Sequence, residues 1–334
     1  MMISIYDAAL ERIGTLDTWI SLVWDEEYGG EGRFQLEVWA TSEAVRLLKE
    51  DVYCGIQGSL TLAVIKSVVA KDKKLVYSGP MAVGLLKDRA STRRVFEENA
   101  ENALREIVGG MEAYPPIALG ASAGIADMFM PEIRDMDVLE YARKISAETD
   151  IGFRLVHDRA AKKLCFECYK PEANPNARYA TAYGNLGAIQ YSKSTADYKN
   201  VAVIVNTYSE TKDDVTTENR VVLYAGATHA TGTERREMMV TLSKRPEKEE
   251  TEEDFHARLI AEGQAKLIET AKIENITFEV VDERVQLGDI ITALLPEIGA
   301  KMQARVIGIM MTSQNNKTTR EISVGTPILL RERG

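Results

Sequence analysis

Cysteine is scarce in this chain, with three among 334 residues, and so small an odd number excludes a disulfide framework. Long hydrophobic runs are missing as well: none approaches the roughly 18 to 20 residues that a membrane-spanning helix needs. The N-terminus, MMISIYDAALERIG, has no basic segment leading into a long apolar one, so it does not read as a secretory signal and synthesis in a cytoplasm is expected. Positive charge is in deficit, 41 Lys and Arg against 51 Asp and Glu, for a net charge of −10. Tight binding to a phosphate backbone depends on clustered cations, so nucleic acid is not an expected ligand. The signatures of phosphate-binding loops, zinc proteases, EF-hands and dinucleotide-binding turns are absent from the sequence. So is the repeat of a solenoid.

What is present is an ordinary globular composition, 45% hydrophobic and 28% charged, in a chain long enough for about two domains. The opening segment reads as strands. Trp19 to Trp24, WISLVW, is an apolar run suited to a buried strand, and Arg33 to Glu37 alternates, with Phe34, Leu36 and Val38 on one face. The glycines of DEEYGGEG between them permit a wide hairpin loop. Thr41 or Ser42 is placed to cap a short helix, SEAVRLLKE, before strand signals resume in SLTLAVIKSVVA and LVYSG. From Thr92 the period turns helical, with Phe96, Ala100, Ala103, Leu104, Ile107 and Val108 on one stripe and Gly109-Gly110 as its stop. Asp135 or Asp137 is expected to cap a second helix carrying Val138, Leu139, Ala142 and Ile145, and a hairpin from FRLVH to LCFECY follows.

Downstream, AIQYSK, VAVIVNTYS, RVVLYAGAT and EMMVTLS read as antiparallel strands parted by polar turns, of which SETKDDVTTEN is the longest. Thr251-Glu252-Glu253-Asp254 fits a capping box, and the acids there offset a helix dipole rather than mark a ligand site. That helix places Phe255, Leu259, Ile260, Leu267, Ile268 and Ala271 on one stripe. ITFEVVD, DIITALLP, ARVIGIMM and REISVG close the chain as strands, with QNNK as a tight turn. The expected class is α+β and β-rich: residues 1–95 a β-rich unit with one helix, 96–180 an α+β unit, and 181–334 a second β-rich unit with a long helix, with interleaving of these segments open.

Four features invite a chemical reading. Gly120-Ala121-Ser122-Ala123-Gly124 matches the G-x-S-x-G nucleophile elbow of hydrolases, which requires a buried strand running into the turn and a helix leaving it. Only Ile117-Ala118-Leu119 stands before it, just after Pro115-Pro116, and the histidines a triad would need are His157, His229 and His256, none in an evident relation to it. Cys165 and Cys168 form C-x-x-C, but on a strand positions i and i+3 face opposite sides about 10 Å apart, beyond the ~7 Å reach of a disulfide, and no second ligand pair for zinc follows. Leu164, Phe166 and Cys168 are therefore expected on one apolar face. Trp19, Trp24 and Trp39 are able to stack on sugars, yet their placement within strands favours core packing. Acids such as Asp25-Glu26-Glu27 read as solvated loop charge. No catalytic, cofactor-binding or metal-binding residue is assigned, and a non-enzyme is expected.

The order of residues resembles the ReqiPepy-type siphovirus tail protein family. The resemblance rests on Ile20-Ser21-Leu22-x-Trp24, then Tyr28, a glycine loop and Gly32-Arg33-Phe34-Gln35-Leu36. In order after these come Asp88-Arg89, Gly152-Phe153-Arg154, Asp197-Tyr198-Lys199-Asn200-Val201-Ala202, Thr233-Glu234-Arg235-Arg236-Glu237, Leu287-Gly288-Asp289 and Val324-Gly325. One departure is Asp25-Glu26-Glu27, where the family has basic residues before the first tyrosine. The resemblance implies a homotrimeric hub at the distal end of a virion tail, with two tube-like β-barrel or sandwich domains per subunit, six in all against a sixfold tube. It implies the tail tube, tape-measure and distal tail proteins as partners, receptor-binding proteins as further ones, and no cofactor. Because the chain stops at Arg331-Glu332-Arg333-Gly334, just past the last anchor, a bare hub without extensions is expected.

Overall fold

The computed structural model describes residues 2–111, 116–180, 183, 189–212, 215–270, 273–279, 285–295, 300–314 and 317–325. Residues 213–214 and 315–316, where two expected turns fall, and 326–334, on which the expected ending rests, lie outside the described residues.

The first segment contributes β1 (Ile3–Tyr6), β2 (Arg12–Leu16), β3 (Ser21–Glu27), β4 (Arg33–Trp39), α1 (Ser42–Leu47), β5 (Tyr53–Ile56), β6 (Ala63–Val64), β7 (Ser67–Lys71) and β8 (Lys74–Gly79). Phe34, Leu36 and Val38 of β4 are buried while Arg33, Gln35 and Trp39 are exposed, the alternation of a sheet with one covered face. The cover is a small sheet ordered β2-β1-β5-β6, whose Ile3, Ile5, Cys54 and Ile56 share a core with Leu22, Trp24, Phe34 and Leu36. Thr41 caps α1 by accepting from the Ala44 N–H at 3.1 Å.

Next come β9 (Ala90–Ser91), β10 (Glu98–Asn99), α2 (Ala100–Gly109), β11 (Ile117–Leu119), β12 (Met128–Phe129), β13 (Met136–Asp137), α3 (Val138–Thr149), β14 (Gly152–Asp158) and β15 (Lys163–Tyr169). The helix expected from Thr92 starts later, because Asn99 is its cap and accepts from the Asn102 N–H at 2.9 Å. Phe96 therefore lies outside the helical stripe. Asp137 caps α3, and Asp135 instead takes a left-handed φ of 58°. The chain enters both helices by the same route. Val95 and Ile133 exchange two backbone bonds of 2.9 and 3.0 Å, Glu97 and Asp135 both have positive φ, and Asn99 and Asp137 both cap.

The last segment supplies β16 (Ala173–Ala180), β17 (Ile189–Ser194), β18 (Val201–Lys212), β19 (Val215–Gly226), β20 (Glu237–Leu242), α4 (Glu252–Ile268), β21 (Ile273–Glu279), β22 (Ile290–Leu295), β23 (Ala300–Gln314) and β24 (Lys317–Gly325). β18 and β19 pair from Val201↔Gly226 to Lys212↔Val215, so most of the polar stretch expected as a turn is strand. Thr216 and Thr217 within it are exposed and suit a ladder. β20 runs parallel to β18, not antiparallel as expected, because the connection after β19 carries the chain back across the sheet before β20 begins. α4, capped by Thr251 as expected, covers this sheet with Phe255 and Leu259 against Ala202, Ile204 and Val240. At Gly263 any Cβ would stand 2.4 Å from Ile204 Cδ1, so the helix approaches the sheet only because that residue is glycine.

One pairing merges the two ends of the chain. β3 lies antiparallel to β23, from Ser21↔Gln314 to Glu27↔Gly308, and the resulting ten-stranded sheet runs β17-β21-β24-β23-β3-β4-β8-β7, with β22 and β16 branching from β23. β23 changes partner to do this: residues 300–305 pair with β22 and 308–314 with β3, while the opposite edge holds β24. The register shift between Val306 and Gly308 marks the changeover, as bulges do where a strand must bend.

Two polar clusters hold α3 between these parts. On one side the buried Arg258 donates to Glu250 at 2.8 and 2.9 Å and to the Arg245 carbonyl at 3.0 Å, with Glu132 3.4 Å away. Its guanidinium lies over Phe255 at 5.2 Å and Phe96 at 5.7 Å, which explains Phe96's place outside the helix. Glu132 also meets Lys244 at 3.0 Å and Arg94 at 3.3 Å. On the other side Arg305 pairs with Asp150 at 2.5 Å and covers the Tyr28 ring at 5.0 Å. Gly288, with φ +88°, leaves room there for Tyr169 and Tyr28, either of which would crowd a Cβ at about 3 Å.

Bonds from Arg258 hold the Glu250 carboxyl below its ordinary value. Burial raises that of Glu132, but Lys244, Arg94 and Arg258 outweigh it and the net is also downward. Depressed carboxyl values stabilise the fold fully above the ordinary glutamate value of 4.5 and lose that contribution as pH falls through the lowered ones. Arg258→Ala leaves two half-buried carboxylates short of a partner and is expected to cost ~1.5–3 kcal/mol in urea unfolding at neutral pH. The loss of stability below pH ~5 should flatten in the same variant. Lys162→Ala, which removes an exposed pair with Glu11, should cost under ~1 kcal/mol.

Candidate assembly surface

The ten-stranded sheet presents one face to the cores and the other to solvent. The solvent face is rich in hydroxyls, amides and paired charges that meet directly across strands. Thr312 and Thr319 lie 2.6 Å apart, Thr277 and Ser323 3.1 Å, Ser21 and Glu37 3.3 Å, and Arg33 reaches Asp25 at 3.0 Å. Lys74 reaches Glu37 at 3.1 Å. The first four are cross-strand pairs in register and Lys74 to Glu37 is a diagonal one, the contacts that stabilise an open sheet face. The sequence pattern that produces this face is the other half of the alternation that builds the core.

The path ends in two different edges. β7 closes one end, with all five residues exposed, Val68 at 44% and Val69 at 58%. Trp39, 59% exposed, lies beside that edge under Lys74, 5.5 Å from its ring. β17 closes the other end, with Tyr191 exposed. Among the described residues neither edge has an outer strand, and an apolar edge of this kind is a template for pairing with another chain. The core placement expected of the tryptophans holds for Trp24, 2% exposed, and for the half-buried Trp19, but not for Trp39. Trp39 follows the alternation of β4 out to the polar face, and the lone ring with a lysine over it offers no sugar platform of paired aromatics.

Ser122 is engaged elsewhere than in nucleophile chemistry. Its strand, β11, is three residues long and runs parallel to β15, and residues 120–127 after it form no helix. The Ser122 hydroxyl donates to Glu101 at 2.8 Å, and the same carboxylate accepts from the backbone of Ala123 at 2.6 Å and Ile125 at 2.7 Å. Glu101, 1% exposed, is thus the internal support of the loop. Burial raises its pKa, the bonds from Ile125, Ser122 and Ala123 lower it, and the net is downward. His157 sits in β14 edge-on to Tyr6 at 4.7 Å, His229 in an exposed loop, and His256 on α4 4.0 Å from Glu252. Nothing in their positions brings them to Ser122. Sequence spacing gave no sign of Glu101; it sits on the α2 stripe opposite the apolar residues only in part, and its role emerges from the loop that folds over it.

The cysteines lie as the strand period required. Leu164, Phe166 and Cys168 are buried and Cys165 is half-buried on the other face, and all three thiols in the chain are free. Burial, with Glu101 nearby, pushes the Cys168 thiol up to about 12, and burial also raises Cys165, so neither is a thiolate at neutral pH. Among the described residues no three His, Cys, Asp or Glu side chains are grouped to hold a metal, and no helix is long and apolar enough to cross a membrane.

The fold so defined is that of phage tail proteins. The 43 kDa tail protein of prophage MuSo2 from Shewanella oneidensis superposes with a TM-score of 0.65 at 11% identity, covering 99% of this chain and 100% of that one. The tail protein from Neisseria meningitidis MC58 gives 0.61 at 14% identity, covering 98% of each. Prophage tail protein gp18 from Listeria monocytogenes EGD-e gives 0.57 at 11%, covering 97% of this chain and 94% of that one. No curated protein sequence matches. The chain belongs to the Siphovirus ReqiPepy6 Gp37-like protein family, whose model matches residues 2–107 and 133–326. The Ser122 loop falls between the two matched blocks.

Glu101→Ala is expected to strand the Ala123 and Ile125 donors and cost ~2–3 kcal/mol, and Ser122→Ala about 1 kcal/mol, both read by denaturant unfolding. Ester hydrolysis by the wild type that vanished in Ser122→Ala would contradict the structural role of the loop. Cys168→Ser should cost ~1–2 kcal/mol by burying a hydroxyl, and Cys165→Ser less than half of that.

Proposed function

We propose that this chain is a subunit of a virion tail hub, a structural protein that forms a homotrimeric ring between the tail tube and the distal tail components and lines the channel through it. The observation that carries this reading is the continuous sheet whose two ends are different strands, β7 and β17. Contact between unlike edges is head-to-tail, and head-to-tail contact closes into a ring or grows into a filament. Three copies are what the family resemblance implies. In such a ring β7 of one copy extends the sheet at β17 of the next, the apolar edge around Val68 and Val69 leaves solvent, and the three sheets form one closed barrel around a polar interior. The units 1–95 and 181–334, each tube-like, would stand as six domains against a sixfold tube, with 96–180 set between them.

The polar face is the one suited to the channel. Two of its cations, Arg33 and Lys74, are paired with Asp25 and Glu37, Lys71 and Lys317 stand on separate strands of it, and the chain as a whole carries −10. A passing polyanion meets hydroxyls and neutralised charge rather than a cluster of free cations. The tail tube, tape-measure and distal tail proteins are the partners in this reading, in the distal part of the virion tail.

Light scattering on the chain alone and co-expressed with neighbouring tail proteins is expected to find trimers. A double substitution, Val68→Lys with Val69→Lys, should return them to monomers with an unchanged far-ultraviolet circular dichroism spectrum, because both side chains are exposed in the single subunit. Monomers under both conditions for the wild type would overturn the hub reading. A ring whose lumen is lined by unpaired lysines and arginines would overturn the assignment of the polar face.

A further inference from the structure

Between α3 and α4 the surface opens into a groove of about 200 Å³. Its floor is apolar, made by Phe129, Ile133, Met136, Ala147, Ala265 and Ile268. Exposed apolar surface continues beyond it, since Ile268 is 36% exposed and Met130, next to the lining Pro131, is 43% exposed. The wall from Phe129 to Pro131 lies outside both blocks matched by the family model.

The charges around the groove are unevenly matched. Its cations have acids of their own: Lys266 meets Glu269 at 2.8 Å, Lys144 meets Glu140 at 3.7 Å and Arg134 meets Asp135 at 3.7 Å. Glu148, in the last turn of α3, has an oxygen sealed from solvent with no hydrogen-bond partner. Glu262 faces the groove from α4, and its Oε1 also lacks a hydrogen bond, with Lys244 Nζ 3.4 Å away. Burial raises the Glu148 carboxyl, as expected for an acid held away from water without a counterion. An apolar floor beside an unneutralised carboxylate is complementary to a hydrocarbon side chain with a cation close by.

We propose that the α3–α4 groove docks a short segment of a partner protein in which an apolar side chain is followed within one turn by lysine or arginine. The apolar side chain lies on the floor between Ala147 and Ala265, and the cation completes Glu148. The groove is lined by α3, α4 and residues 129–136 and by no residue of the edge strands β7 and β17, so this contact uses other residues than ring closure and selects one partner among tail components.

The test is fluorescence anisotropy on the full chain with a fluorescein-labelled octapeptide bearing a Leu-Leu pair followed by Lys-Arg, and with a twin carrying Glu-Glu instead. The basic peptide is expected to bind at least about tenfold more tightly than its twin. Glu148→Gln should weaken it by about fivefold or more while leaving the melting temperature equal or higher, and Ala265→Trp, which fills the floor, should abolish binding. Equal binding of the twins, no binding of the basic peptide, or an affinity unmoved by Glu148→Gln would overturn the proposal. Light scattering that found self-association lost in Ala265→Trp, with the peptides silent, would assign the groove to a second copy and overturn it as well. If Ala265→Trp fails to fold, the charge twin and Glu148→Gln still decide.

Discussion

Residues Ser21 to Glu27 find their sheet partner in Gly308 to Gln314, and the large surfaces of the protein exist because of that antiparallel pairing. Without it the N-terminal strands β3, β4, β8 and β7 would form one small sheet and β17, β21, β24 and β23 another, each with an extra exposed edge. With it, two edges vanish and the polar halves of two alternating patterns become one face. The entropic cost of joining segments so distant grows only with the logarithm of their separation, so the seam is affordable at equilibrium. It is costly in time, since contacts of such long range form late.

α3 is the keystone between the segments that the seam unites. Its C-terminal Asp150 receives Arg305 from β23, and the network around Glu132 and Arg258 ties the approach to α3 to α4. Both clusters use arginine, whose planar, weakly hydrated cation tolerates burial over aromatic rings better than lysine does. Phe96, Phe255 and Tyr28 are the rings concerned. The same helix then holds Glu148 with a sealed oxygen that has no hydrogen-bond partner, a contrast within one element between an acid that has found its counterion and one that has not.

Local chemistry was legible in the sequence and long-range pairing was not. Thr251 could be named as a cap, and Thr41 and Asp137 each as one of two candidates, because a cap and the amide it meets lie within three residues. The face of Cys168 followed from period two alone. The late start of α2 escaped because Phe96 continues the helical spacing while serving Arg258 instead, a contact with a residue far along the chain. The parallel course of β20 depends on how a connection crosses the sheet, which hydrophobic pattern does not encode. The repeated entry into α2 and α3 was hidden as well, because it is preserved as backbone shape, with valine against isoleucine and glutamate against aspartate, rather than as a motif. Recognition of the family drew on scattered anchors, and its model indeed matches most of the chain.

The direction of the β3–β23 hydrogen bonds has a mechanical meaning. In an antiparallel ladder they lie perpendicular to the strands, so a load applied along the strand axis strains the bonds from Ser21↔Gln314 to Glu27↔Gly308 together. A load that lifts one end of β3 away from β23 breaks them one at a time. The joint between the two ends of this chain is therefore strong against sliding and weak against peeling.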